Sequence, residues 1–199
     1  ANNLSWRSVA QWVEHRDETT LTVDILWYHR YNIIANANTL INRIVEGDLP
    51  DTPKLREISG QAYAYLAYAY MSLVQHYAKG YLIGSPSTDP GVPILFASEA
   101  PFESGPRATV QEVYDQIDSD LDAAIENYRH VIRLKPDLAE GHYNLGSTLR
   151  LKEAFDEATF HLQQALQLKT NYAEAYNNLA LTYKEQGDLE QAIDHFSRA

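Results

Sequence analysis

The feature that most constrains this chain is a repeat in its last third. Residues 139–172 align with the block that begins at residue 173, at an offset of 34 (173 − 139 = 34). Identities at that offset include Ala139/Ala173, Glu140/Glu174, Asn144/Asn178, Leu145/Leu179, Ala158/Ala192 and Ala165/Ala199. A period of this length marks a supersecondary unit that cannot bury its apolar face alone and must stack on its neighbours. The spacing within the unit is helical. A small residue stands eighth in each block (Gly146, Ala180) and an Ala twentieth (Ala158, Ala192). Two antiparallel helices cross closely only where such residues let the backbones approach, and Leu145, Leu149, Leu162 and Leu166 are placed to fill the flanks. Gly187-Asp188 supplies the turn of the last hairpin. Pro136 stops the helix before the repeat, as Pro does just beyond a helix end. Thr170 stands at the equivalent place one repeat later, so that boundary is softer.

This period resembles that of the tetratricopeptide (TPR) repeat, and so does the residue pattern. The large fourth residue (His142, Tyr176), the seventh-place Leu (Leu145, Leu179) and the large apolar twenty-fourth residue (Leu162, Phe196) complete it. The resemblance implies an all-α fold, a right-handed α-α superhelix of about five TPR-type hairpins or fewer. Ala124 and Tyr128 already sit in the same register (158 − 124 = 34; 162 − 128 = 34). The last block stops at its twenty-seventh residue, Ala199, with no polar capping helix, which leaves a truncated array or an end that packs on another molecule.

Upstream, the apolar spacing predicts three longer helices. They span roughly residues 23–45, 53–78 and 109–134, with Pro53 at a first-turn position and Thr109-Val110-Gln111-Glu112 as a capping box. A short helix is expected around residues 6–15. The Pro/Gly/Ser-rich stretch between Gly80 and Pro106 is a long loop, of the kind that is usually functional or mobile. Residues 92–95 within it read as extended.

Four segments in this region resemble the SusD/RagB family, the glycan-binding lipoproteins that partner outer-membrane transporters in Bacteroidetes. They are Trp27-Tyr28 with Ile33, Ala35-Asn36 and Leu40-Ile41; Gln61-Ala62 with Ala67-Tyr68-Ala69-Tyr70 and Leu73-Val74; Gly91-Val92-Pro93-Ile94; and Arg107-Ala108-Thr109-Val110 with Val113-Tyr114, Ile117, Asp120-Leu121 and Ala124-Ile125. The family usually has an acidic residue where Gln61 stands and Arg where Leu66 stands, and its lipid-bearing Cys is missing here. The resemblance divides the chain into a SusD/RagB-like part, residues 1–125 with the long loop at 80–106, and TPR repeats, residues 126–199, packed continuously with it. It implies the bacterial outer-membrane surface as location. The abrupt passage into ordinary repeat sequence points to an engineered or recombinant fusion with its seam near residues 124–128; a divergent natural protein is the alternative. The chain opens on Ala1-Asn2-Asn3, as a mature form or a fragment would.

Charge and composition narrow the function classes. With a net charge of −11 and no Lys/Arg cluster, nucleic acid is not an expected partner, and an anionic membrane surface would repel the chain. The sequence has no Cys, so disulfides, thiolate metal sites and Cys nucleophiles are excluded. No stretch approaches the roughly 18–20 apolar residues of a membrane span. There is no HExxH, the seven His residues are scattered, and no serine lies in a nucleophile elbow. No catalytic constellation, cofactor or metal site is expected. Asp115, Asp118, Asp120 and Asp122 lack the Gly and final Glu of a calcium loop and read as a solvated helix face. The tyrosines at 63, 65, 68 and 70 read as core packing between hairpins.

Asn144 and Asn178 share one repeat position, and Arg150 and Lys184 another (178 − 144 = 34; 184 − 150 = 34). The TPR resemblance puts them on a concave groove. There an amide can bond both donors and acceptors of an extended peptide, and a cation can pair with its acids. Inter-helix hydrogen bonding is the competing role. The expected function is a non-catalytic scaffold for a protein or peptide, or a chimera with no native ligand. The alternative is glycan capture and transporter docking by the SusD-like half, with Trp6, Trp12, Tyr81, Phe96 and Phe102 as sugar-stacking candidates.

Overall fold

The structure, a computed structural model, describes residues 20–47, 49–78, 80–95 and 106–199. It is all-α. Among the described residues it has seven helices: α1 (Thr20–Glu46), α2 (Pro53–Tyr77), α3 (Val110–Leu134), α4 (Ala139–Leu151), α5 (Phe155–Leu168), α6 (Ala173–Glu185) and α7 (Leu189–Arg198). The only β feature among those residues is an isolated bridge between Pro90 and Thr109. None of the helices is long and apolar enough to cross a membrane. The expected helix at residues 6–15 lies outside the described residues. The chain forms two compact units. One is Ala1–Asp48 with Tyr65–Asp120, the other Leu49–Ala64 with Leu121–Ala199, so the division passes through α2 and α3.

The first unit is organised around residues 91–95, in which Gly91 N–H and the Val92 carbonyl pair with the Ala108 backbone at 2.7 and 3.2 Å, while Pro93 and Leu95 take their backbone partners from side chains. Helical spacing on α1 buries Trp27, Tyr31, Ile34, Ala37, Asn38 and Ile41. Tyr31 donates its hydroxyl to the Pro93 carbonyl at 2.8 Å, and Asn38 Nδ2 donates to the Leu95 carbonyl at 2.6 Å. Tyr70 on α2 both accepts from Leu95 N–H at 2.9 Å and donates to its carbonyl at 3.2 Å. Buried backbone groups left unpaired would cost about 1–3 kcal/mol each, so these side chains replace a missing strand partner. Gly91 is required at its place: a Cβ would lie 2.8 Å from the Thr109 carbonyl oxygen. At the start of α3 the capping box is formed, with Glu112 N–H on Thr109 Oγ1 (3.2 Å) and Thr109 N–H on Glu112 Oε2 (2.7 Å).

Two expectations fail in this unit. Asp115, Asp118 and Asp122 are exposed, but Asp120 is only 3% exposed and belongs to the core. It falls on the inward stripe of α3, three residues after buried Ile117 and four before Ala124. The tyrosines of α2 also divide: Tyr70 is buried, while Tyr65 and Tyr68 stand out at 60% and 47% exposure. They lie on the opposite side of the helix from Ala67, Tyr70 and Val74, and Arg30 stacks its guanidinium 4.8 Å from the Tyr68 ring centroid.

The second unit holds the TPR hairpins. Helices α4 and α6 begin 34 residues apart (173 − 139), as do α5 and α7 (189 − 155). Ala124, Ile125 and Tyr128 of α3 share a core with Leu145, Leu149 and Ala158, against which Tyr63 and Ala64 of α2 pack. Close approach is enforced by glycine. A Cβ on Gly60 would meet the Tyr128 ring at 2.8 Å, and one on Gly146 would lie 2.8 Å from Leu162 Cγ and 3.0 Å from the Ala158 carbonyl oxygen. The hairpin turns repeat as well: Ala154 N–H bonds the Leu149 carbonyl and Asp188 N–H the Tyr183 carbonyl, both at 2.9 Å. The second turn has Gly187 at φ 86°, and the first has Glu153 at φ 60°, in the left-handed region. Asp188 also caps α7, accepting from Gln191 N–H at 3.1 Å. On α7, Leu189, Ile193 and Phe196 are 62%, 70% and 41% exposed, whereas Leu162, one repeat before Phe196, is fully buried.

Candidate functional site

The four groove candidates lie on the facing first helices of successive hairpins, and two of them are already engaged. Asn178 Nδ2 donates to Ser147 Oγ at 2.9 Å and Tyr143 Oη at 3.2 Å. Arg150 Nη1 donates to Glu185 Oε1 at 2.9 Å, while its buried Nε has no partner among the described residues. These bonds join α4 to α6, the inter-helix role weighed from sequence. Asn144 and Lys184 differ. The half-buried Asn144 amide and the exposed Lys184 ammonium have no side-chain partner among the described residues. Asn177, next to Asn178 and exposed, is in the same state. Sequence reasoning missed Ser147 and Tyr143, because the repeat offset gives equivalent positions and not the pairs that meet across neighbouring helices.

The first unit carries a second arrangement. Arg107 donates from Nε to the Gly91 carbonyl at 2.6 Å and from Nη2 to those of Tyr77 at 3.1 Å and Pro90 at 3.3 Å. No carboxylate among the described residues pairs with it, and partial burial holds its pKa below the ordinary guanidinium value. It lines an open cleft of about 700 Å³ together with Glu112, Asp115, Gln116 and Ile94. Gln116 Nε2 donates to Asp120 Oδ1 at 3.0 Å, and buried Asp120 Oδ2 has no partner among the described residues. Burial pushes the Asp120 carboxyl up to about 7, with the Gln116 bond opposing. Of the sugar-stacking candidates, Trp6, Trp12, Phe96 and Phe102 lie outside the described residues. Tyr81 is 38% exposed, bonds Gln111 Oε1 at 2.5 Å and meets Tyr114 edge-on at 5.0 Å, so one ring edge is covered.

Among the described residues, no group of three or more His, Asp or Glu side chains is placed to hold a metal.

Known proteins place the chain. Residues 1–131 match the SusD-like family model described as starch-binding, associating with outer membrane. Tetratricopeptide models match residues 119–152, 139–172 and 173–199. No curated protein matches. A putative sugar binding protein from Bacteroides vulgatus ATCC 8482 is similar over 81% of this chain and 38% of its own, at 21% identity and TM-score 0.51. A SusD superfamily protein from Bacteroides thetaiotaomicron VPI-5482 is similar over 77% and 35%, at 21% identity and TM-score 0.51. At that identity the likeness shows the fold alone, and the chain spans well under half the length of either protein. With 131 of its 199 residues matched by one family model, this chain belongs to the SusD-like family, and tetratricopeptide repeats form its last part.

Proposed function

We propose that the chain is a non-catalytic binding scaffold that takes an extended peptide along the α4/α6 face. The observation that carries this is the pair of partner-free groups at Asn144 and Lys184, held beside the engaged Asn178 and Arg150. An amide with free donor and acceptor suits a peptide backbone, and a free ammonium suits an acidic side chain or carboxylate. A peptide array and a glycan array probed with the full chain test the reading. The expected result is peptide binding weakened about tenfold, or roughly 1.4 kcal/mol, by Asn144→Ala or Lys184→Ala. Peptide binding indifferent to both substitutions refutes it.

A second reading is glycan capture at the bacterial outer-membrane surface, beside a transporter. Family membership supports it, and so does the cleft at Arg107, where a guanidinium, two carboxylates and an amide lie over an apolar wall. Oligosaccharide binding on the glycan array, lost in Gln116→Ala, would favour it over the first. The finer reading of the architecture is a fusion with its seam near residues 124–128, supported by the abrupt passage there from SusD-like into ordinary repeat sequence, a join that the common 34-residue register makes structurally sensible. A natural family spanning both parts without a break would refute it.

A further inference from the structure

His142 on α4 and His161 on α5 face each other inside one hairpin, with Nδ1 to Nδ1 at 3.0 Å. Their ring centroids are 5.3 Å apart and tilted by 31°. His142 is 7% exposed and the His161 side chain 13%. His142 Nε2 lies 3.1 Å from the Pro136 carbonyl oxygen, which only accepts, so this nitrogen carries the hydrogen. Neutral His142 therefore presents a bare Nδ1, and His161 supplies the Nδ1–H. The lone pair of His161 is left on Nε2, 4.0 Å from Glu157 Oε1. Glu157 is itself held by Arg129 Nη2 of α3 at 2.7 Å.

We propose that this pair is an acid-sensitive clasp, a neutral imidazole–imidazole bond that fastens α4 to α5 and opens when the hairpin is acidified. The proton count follows from the geometry. One added proton has a place, on His161 Nε2 towards Glu157, and leaves the bond intact. A second enters at His142 Nδ1, where it meets the His161 Nδ1–H head-on and breaks the bond. The charged groups facing His161 are Glu157, which favours its protonation, and Arg129, which opposes it. Burial opposes it most, then His142, and together they push His161 down to about 4. An unfolded histidine takes its proton near 6.5 while His161 in the folded pair resists its own down to about 4. The stability the neutral pair gives is therefore complete above pH 6.5 and drains away as the pH falls towards 4, and the bond itself opens on the second proton, at His142. The sibling hairpin lacks the device: at the same positions Tyr176 and His195 stack at 6.0 Å instead of bonding.

The test uses the full chain and His161→Gln, whose amide N–H can still donate to His142 Nδ1 but does not titrate. Between about pH 7 and pH 4 the wild-type Tm is expected to fall roughly 5–10 °C further than that of the variant. Parallel falls overturn the proposal. Ring-nitrogen NMR of the wild type at neutral pH gives a reading independent of how the variant folds. It should show hydrogen on His142 Nε2 and on His161 Nδ1; hydrogen on His161 Nε2 instead overturns the clasp.

Discussion

Replacing Asp120 by Asn should stabilise the protein strongly at mildly alkaline pH and hardly at all in acid. The carboxyl is 3% exposed, has one oxygen without a partner among the described residues, and is pushed from 3.8 up to about 7 by burial. A raised acid pKa means that folding favours the protonated form. Its contribution is therefore complete below about pH 3.8, the unfolded value, and is lost as the pH rises through 7. A shift of 3.2 (7 − 3.8) corresponds to roughly 4 kcal/mol, an upper figure once relaxation of the site is allowed for. Asn keeps an oxygen for the Gln116 amide and never ionises. It leaves a buried donor unpaired, at ~1–3 kcal/mol, but the protonated Asp carries a similar unpaired donor. The constant part cancels in the comparison between pH values. Urea unfolding followed by circular dichroism should show Asp120→Asn gaining on the wild type by ~2–4 kcal/mol between about pH 4 and pH 8. An equal difference at both pH values would refute the buried, ionising carboxyl.

The glycines give further tests. Gly146→Ala should lose ~1 kcal/mol in the same assay, because overpacking against α5 backbone costs ~1–3 kcal/mol and helix propensity returns only ~1; a gain in stability would contradict the close crossing. At the equivalent place the methyl of fully buried Ala180 fits, so Ala180→Gly should lose ~0.5–1 kcal/mol. Glu153→Gly should raise stability by ~0.5–1 kcal/mol by relieving φ 60°, less than the ~1–2 kcal/mol of strain because the unfolded chain gains freedom. A lower urea midpoint for this variant would show that the Glu153 side chain contributes more than its backbone costs.

What the sequence made legible was what repeats. The hairpin boundaries, the Gly146/Ala158 crossing and the Gly187 turn follow from a 34-residue register that fixes both helix lengths and the small contact residues. The extension of that register to Ala124 is realised in a core shared by Ala124, Tyr128 and Leu145. What stayed hidden depends on distances between residues far apart in the chain. Asp120 looked solvated because three acids near it are, and only its helical phase against Ile117 and Ala124 marked it as inward. The engagement of Asn178 with Ser147 and Tyr143 could not be read from an offset that pairs Asn178 with Asn144. The same limit separates fold from ligand here. A repeat position specifies where a side chain stands on its helix, while whether that side chain is free to bind anything is decided by its neighbour on the next helix. Asn144 and Asn178 occupy one position in the repeat, yet of the two only Asn144 lacks a neighbour that takes its amide, so the free Asn144 amide and Lys184 ammonium, and not the repeat, carry the proposed peptide face.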